Sequence, residues 1–522
     1  MYFKIIFSFL LSSVFLVNVV NSQDSVWQKT DIPINEFDTT SFMIVMKIAD
    51  ENVDRIKHEL FDVSHPSSPF YGKYKTRNEI YDIVRPNHNV NALMYFLNKD
   101  SNVTYCVDYT LGIKCVMPIH IAKRLFDVDF DLYTKAVGRK YKKNIFRYIG
   151  TKYTIPEQFT DDIHFIMGLI DFPESAKQHN HPRNVHVNDH VVTGETLFAL
   201  YNVTNEVQNE SSTHAVFEYL GEECFNMRDF TTFQTNSGLK VDTHVVFYGS
   251  DCDTKTTNPS IESSLDVQYQ YYMGSRHQQY VNVGNWLLDG LILMQSLDTC
   301  PLVTSASWGW WEGAQDQIVS VMSEEYVKQC NLMYAMLSLR GTSFVVASGD
   351  SGASGRTNPS CENPPHLRAV FPASSPYVLS VGGTTFFNET LGGNSPYCKK
   401  FKCVANATQL NTQFDFVGWT SGSGIANYSE REYWQVLTAE QYLLNTTADF
   451  LPPVGDYLHI GRPYPDVAML AHNFVVEVFG AGEQLVDGTS ASSPAFSGLI
   501  SRLNSVRLNN GCPPLGLFGP LM

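Results

Sequence analysis

From about Asn188 to Met522, apolar runs alternate with segments of helical period. The runs at 244–248, 303–307, 343–348 and 377–381 predict strands. The segments 261–273, 286–295, 318–339 and 491–506 predict helices. Such alternation predicts an α/β fold with a doubly wound, mostly parallel sheet. Sheets of that kind gather functional groups at the carboxyl ends of their strands. Residues 23–187 are patterned differently, with a strand at 42–48 and short helices at 52–61, 76–84 and 89–97. They predict a small, separate α+β unit. The polar stretch from Lys177 to Arg183 reads as an exposed linker open to cleavage. No internal repeat is present.

The chain begins Met1-Tyr2-Phe3-Lys4, followed by an apolar run to Val20 and then small and polar residues. This is the pattern of a secretory signal peptide spanning residues 1–22. No later segment is long and apolar enough to cross a bilayer, so no membrane span is expected in the mature protein. Sequons at Asn102, Asn202, Asn209, Asn388, Asn406, Asn427 and Asn445 predict glycosylation, and ten cysteines suit an oxidising compartment. Cys106/Cys115 and Cys398/Cys403 are close enough in sequence to close short loops. The net charge of −16 disfavours a nucleic-acid partner.

The candidate chemistry centres on Asp487-Gly488-Thr489-Ser490-Ala491-Ser492-Ser493-Pro494. It reads as a strand entering a tight turn and then a helix, with Pro494 expected in the first turn. Ser490 would lie at the helix N-terminus, where unpaired N–H groups favour developing negative charge. An N-cap serine is the alternative. Glu262 and Asp266 are four apart, so a helix places both on one face. Two close carboxylates can share a proton; a solvated acidic face is the alternative. Asp350, in Ser348-Gly349-Asp350-Ser351-Gly352, ends an apolar run. It fits either a strand-end site or a turn aspartate.

Five segments occur in an order that resembles the sedolisin, or serine-carboxyl, peptidase family, and within it the animal tripeptidyl-peptidases. They are Glu262-Ser263-Ser264-Leu265-Asp266-Val267-Gln268-Tyr269, Ala347-Ser348-Gly349-Asp350-Ser351-Gly352, Phe371-Pro372-Ala373-Ser374-Ser375-Pro376-Tyr377-Val378, Tyr464-Pro465-Asp466-Val467-Ala468 and Gly488-Thr489-Ser490-Ala491-Ser492. The early Ser67-Ser68-Pro69 and Tyr71-Gly72-Lys73-Tyr74 resemble the prosegment of the same family. The resemblance implies a subtilisin-like catalytic domain at 188–522 behind an inhibitory α+β propeptide at 23–187. Ser490 is then the nucleophile, Glu262 the general base, Asp266 the residue that orients Glu262, and Asp350 a protonated donor to the oxyanion. A carboxylic acid in that last place works only while it keeps its proton, so the resemblance implies activity at acid pH. It also implies polypeptide substrates, release of tripeptides from free N-termini, and a lysosomal or secreted location. Ser307, Trp308 and Gly309 resemble the strand that pairs with bound peptide. Ser421, Gly422 and Ser423 resemble a stretch that flanks the cleft.

The family also implies a Ca²⁺ bound by an Asp- and Gly-rich loop after the serine helix. No such loop occurs before Met522, so the chain reads as truncated and no metal ligand is assigned in it. Two alternatives remain open at this level: an endopeptidase on the same scaffold, and a non-catalytic relative. An ordinary Ser-His-Asp enzyme needs a histidine where Glu262 stands.

Overall fold

The computed structural model describes residues 27–84, 89–99, 104–137, 141–147, 153–172, 182–203, 207–219, 224–250, 252–355, 367–447, 451, 457–478 and 482–522. The expected signal peptide, Asn102 and residues 177–181 of the expected linker lie outside them. Arg183, the linker's last residue, is part of a short strand, Arg183–Asn184, on the edge of Gly482–Val486.

The larger unit is built on a parallel sheet. Its strands run in the order Val246–Gly249, Gln278–Asn282, His214–Glu218, Val303–Ala306, Ser343–Ala347 and Leu379–Leu391, with Val467–Leu470 beyond the last. Leu379–Leu391 outruns its parallel neighbours and pairs antiparallel with Lys402–Asn411. Two central strands, His214–Glu218 and Gln278–Asn282, are absent from the sequence expectation because polar side chains break up their apolar pattern. Two of them, His214 and Gln278, are satisfied inside the core. Burial pushes His214 down to about 3, so its ring stays neutral, and Nε2 lies 3.0 Å from Oε1 of Gln278. The Gln278 amide donates in turn to Oε1 of Gln270 at 2.8 Å.

Two long helices pack together beneath this sheet. Ile261–Met273 has the predicted bounds and is capped by the Ser260 hydroxyl, which accepts from the Ser263 N–H. The serine helix runs Thr489–Asn509, longer at both ends than expected. Leu265, Tyr269, Ala491, Ala495 and Ile500 belong to the apolar cluster that these helices share. The segment expected as one helix from 318 begins only at Ser323 and runs to Leu339, since the β-branched run Ile318, Val319 and Val321 favours other backbone.

The first unit contains a four-stranded antiparallel sheet of Thr39–Met46, Tyr105–Asp108, Gly112–Pro118 and Ile163–Met167 with short helices. It shares a core with the larger unit: Met43, Ile56 and Leu60 join the cluster holding Leu291, Met333 and Leu337. Polar ties reinforce the contact. Lys114 pairs with Asp289 at 3.0 Å, His164 with Glu325 at 2.7 Å, and the Tyr74 hydroxyl donates to the Leu515 carbonyl at 2.8 Å. Cys106–Cys115 and Cys398–Cys403 are disulfides, as their spacing suggested; Cys224–Cys252 is a third. Among the described residues, no helix is long and apolar enough to cross a membrane.

Candidate functional site

Four chain segments converge at the carboxyl ends of the parallel strands. The strand Ser343–Ala347 delivers Asp350, Val303–Ala306 delivers Ser307 and Trp308, and His214–Glu218 ends on Glu218 itself. The N-terminus of the serine helix supplies Ser490.

Ser490 is the second residue of its helix and 6% exposed. Its hydroxyl lies 3.5 Å from the Ser307 carbonyl. Pro494 is not in the first turn, as the sequence suggested, but inside the helix. Its missing N–H would have bonded the carbonyl four residues back, that of Ser490. The Ser307 hydroxyl lies 3.3 Å from that carbonyl and 2.9 Å from Oδ1 of Asp266 and shares its one proton between them. One serine side chain therefore bridges the acid helix and the backbone of Ser490.

Glu262 and Asp266 are fully buried, which excludes a solvated acidic face. Burial raises Asp266 well above the usual carboxylate range. The negative charges of Glu262 and then Glu218 push it further, and the Ser307 hydroxyl only partly opposes them. Asp266 thus holds a proton where an exposed aspartate has lost it. Glu218 is the acid that sequence reasoning missed. It is 0% exposed, and its Oε2 accepts from the Trp308 indole N–H at 2.7 Å. The available signal was a glutamate closing a short apolar run at a strand's carboxyl end.

Asp350 sits beside the serine turn. Its Oδ1 accepts from the Thr489 N–H at 2.8 Å and the Thr489 hydroxyl at 3.0 Å. Oδ2 faces Gly488, whose φ of +135° suits glycine and where an added Cβ would come within 3.1 Å of that oxygen. The hydrogen bonds described place no imidazole on the Ser490 hydroxyl.

The expected substrate-contacting residues divide. Ser307 and Trp308 turn their side chains into the acid network, and Trp308 is buried. An added Cβ on Gly309 would press on Val370 at 2.6 Å. Ser421 is tied to the scaffold, its hydroxyl accepting from the Gly383 N–H at 2.9 Å. Gly422 packs on the backbone of Ser348 and Gly349. Ser423 is exposed and lines a cavity of about 560 Å³ with Arg368, Ile425, Trp434 and Tyr464. Of the sequon asparagines, Asn202, Asn388, Asn406, Asn427 and Asn445 are exposed; Asn209 is half-buried and its amide donates to Asn509.

Beyond the cluster, Glu312 is fully buried. It accepts from the Asn427 N–H at 2.7 Å and the Ser374 hydroxyl at 3.1 Å. Burial pushes it up to about 7. The folded chain then keeps a proton that the unfolded chain releases from about pH 4.5. The resulting stability is fully present below that pH and is lost as pH rises through about 7. Urea unfolding at pH 4.5 and 7.5 should show this loss, at most about 3 kcal/mol. It should be absent from the difference in Glu312→Gln.

Among the described residues, no group of three or more His, Cys, Asp or Glu side chains could hold a metal ion. They do not form the calcium cage that the family resemblance implies, and no step below passes through one.

A family model described as "Pro-kumamolisin, activation domain" matches residues 27–172. Physarolisin of Physarum polycephalum is 30% identical over 491 residues, covering 91% of this chain and 83% of that protein. Tripeptidyl-peptidase 1 of Rattus norvegicus is 29% identical over 505 residues, covering 91% and 81%. A solved structure of Pseudomonas sedolisin, a serine-carboxyl proteinase complexed with pseudo-iodotyrostatin, aligns at 20% identity with a TM-score of 0.44, covering 65% of this chain and 86% of that one. With Physarolisin 30% identical across 91% of this chain, a span that takes in both the activation unit and the helix that carries Ser490, the chain belongs to the sedolisin, or serine-carboxyl, family of serine peptidases.

Proposed function

We propose that this peptidase works in acid, removes tripeptides from free N-termini, and is held as a zymogen by residues 23–187 until cleavage near residue 187. The observation that carries the catalytic part is the Ser307 bridge. It ties Asp266 to the backbone of Ser490, beside the Asp350 carboxyl group that Thr489 fixes through Oδ1.

In this reading the Ser490 oxygen attacks the scissile carbonyl carbon and its proton passes to the Glu262 carboxylate. Asp266, protonated and held by Ser307, orients Glu262. The carbonyl oxygen becomes an oxyanion that accepts a hydrogen bond from the protonated Oδ2 of Asp350. Collapse breaks the C–N bond, and Glu262 returns the proton to the departing amine. A water then repeats the sequence on the acyl-enzyme, with Glu262 again the base. Ser307–Gly309 offers backbone to the bound peptide, and Gly422 and Ser423 flank the cleft. Asp350 must stay protonated to donate, so turnover falls as pH rises to neutral. Glycosylation at the exposed sequons and delivery through the secretory route to a lysosome-like compartment fit that pH range.

The test uses the full chain, purified and brought to pH 4.5, with one peptide offered free and N-terminally blocked. Successive tripeptides from the free peptide alone are expected. Internal cuts in the blocked peptide would make the protein an endopeptidase. Turnover of neither would make it a non-catalytic relative.

A further inference from the structure

The contact between His472 and Asp487 at the base of the serine turn has no part in the reaction sketched above. Asp487 immediately precedes Gly488 and is 8% exposed. Its Oδ2 lies 2.8 Å from Nδ1 of His472, and its Oδ1 accepts from the Asn473 N–H at 2.7 Å. The Gly488 N–H donates to the Ala471 carbonyl at 3.0 Å. Residues 471–473 and 487–488 therefore clasp each other just before the helix that begins at Thr489. The His472 ring also packs on Phe386, with ring centroids 5.4 Å apart.

We propose that His472 is a positioning residue whose imidazolium balances the charge of Asp487 and so favours oxyanion formation at Ser490. The proposal rests on reading Ser490 as the nucleophile. A carboxylate three residues before that serine opposes the negative charge that grows there during attack. A cation paired with it cancels the opposition. The cancellation needs a proton carrier at 472 and a charge at 487, so removing either one alone tests it. The other ionisable groups around this clasp are already engaged. Arg183 pairs with Asp189 and reaches the Asn473 side chain, His190 pairs with Glu389, and Asp350 accepts from Thr489 across the turn. His472 is thus the cation in direct contact with Asp487.

The test substitutes His472→Asn, which keeps an N–H to donate to Asp487 but cannot carry charge. Rates of acylation by a free-N-terminal peptide are measured between pH 4.5 and 7 in wild type and variant. The wild type should be faster by about tenfold at pH 4.5, the order expected of one poorly screened charge near the reacting atom. The loss should fall on the acylation rate, with KM unchanged. In an Asp487→Asn background there is no charge to cancel, and the effect of the His472 substitution should vanish. An effect of the same size in the Asp487→Asn background, or one confined to KM, would overturn the proposal and leave a purely structural clasp. Failure of the Ser490 reading looks different, because the wild type itself would then be inactive at every pH.

Discussion

Ser490→Ala should lower kcat by roughly 10⁶-fold, the scale seen when a serine peptidase loses its nucleophile, and should abolish self-cleavage near residue 187. No other hydroxyl can substitute. The Ser307 oxygen is committed to Asp266 and the Ser490 carbonyl, and Ser492 donates back to the Thr489 carbonyl. The loss should not come from unfolding. Alanine is a strong helix former, and the Ser490 hydroxyl makes only a 3.5 Å contact with the Ser307 carbonyl. Thermal unfolding of the variant should match wild type within about 1 °C, since about 0.5 kcal/mol or less is at stake for such a surface-free exchange. Intact-mass measurement after acid treatment then shows whether residues 23–187 remain attached.

Glu262→Gln should cost about 10³- to 10⁴-fold in kcat, the upper range for removing a general base. The amide has nearly the shape of the acid, so packing is kept and only the proton acceptor goes. A second effect separates this role from a structural one. The Glu262 charge is among the causes that keep Asp266 protonated. Removing it makes Asp266 lose its proton more easily, and the high-pH limb of the residual activity moves to lower pH. Glu218→Gln removes another of those charges while leaving Glu262 in place. It should move the limb the same way with a much smaller loss of rate. A full profile for both variants checks this.

What the sequence could reveal followed from which signals are local. The helix Ile261–Met273 was readable to the residue, because Ser260 caps it and Gly274 ends it. Its acids share one face by helical geometry alone. Asp350 was legible as a strand-end residue because the run before it is apolar. Glu218 was not, because its strand is short and carries His214, and its partner Trp308 lies ninety residues away. The strand Gln278–Asn282 was missed for a related reason, since Gln278 is a core residue only by virtue of partners on other segments. Pro494 was misplaced by one turn. The helix begins at Thr489, immediately after a glycine with positive φ, and sequence cannot tell that glycine from one inside the turn. The Ser307 bridge is a tertiary contact between three separated segments, with no local pattern to betray it.

The account stands on an alcohol activated by a buried acid pair, with no imidazole as its base. The most direct measurement is the rate at which a serine-directed peptidyl phosphonate bonds to Ser490, read by peptide mass spectrometry between pH 3.5 and 7.5, in wild type and in Glu262→Gln. The account predicts rapid labelling of Ser490 in acid, a fall toward neutral pH, and labelling slowed at least about 10³-fold in the variant. Labelling that climbs toward neutral pH and is unaffected by Glu262→Gln would contradict it.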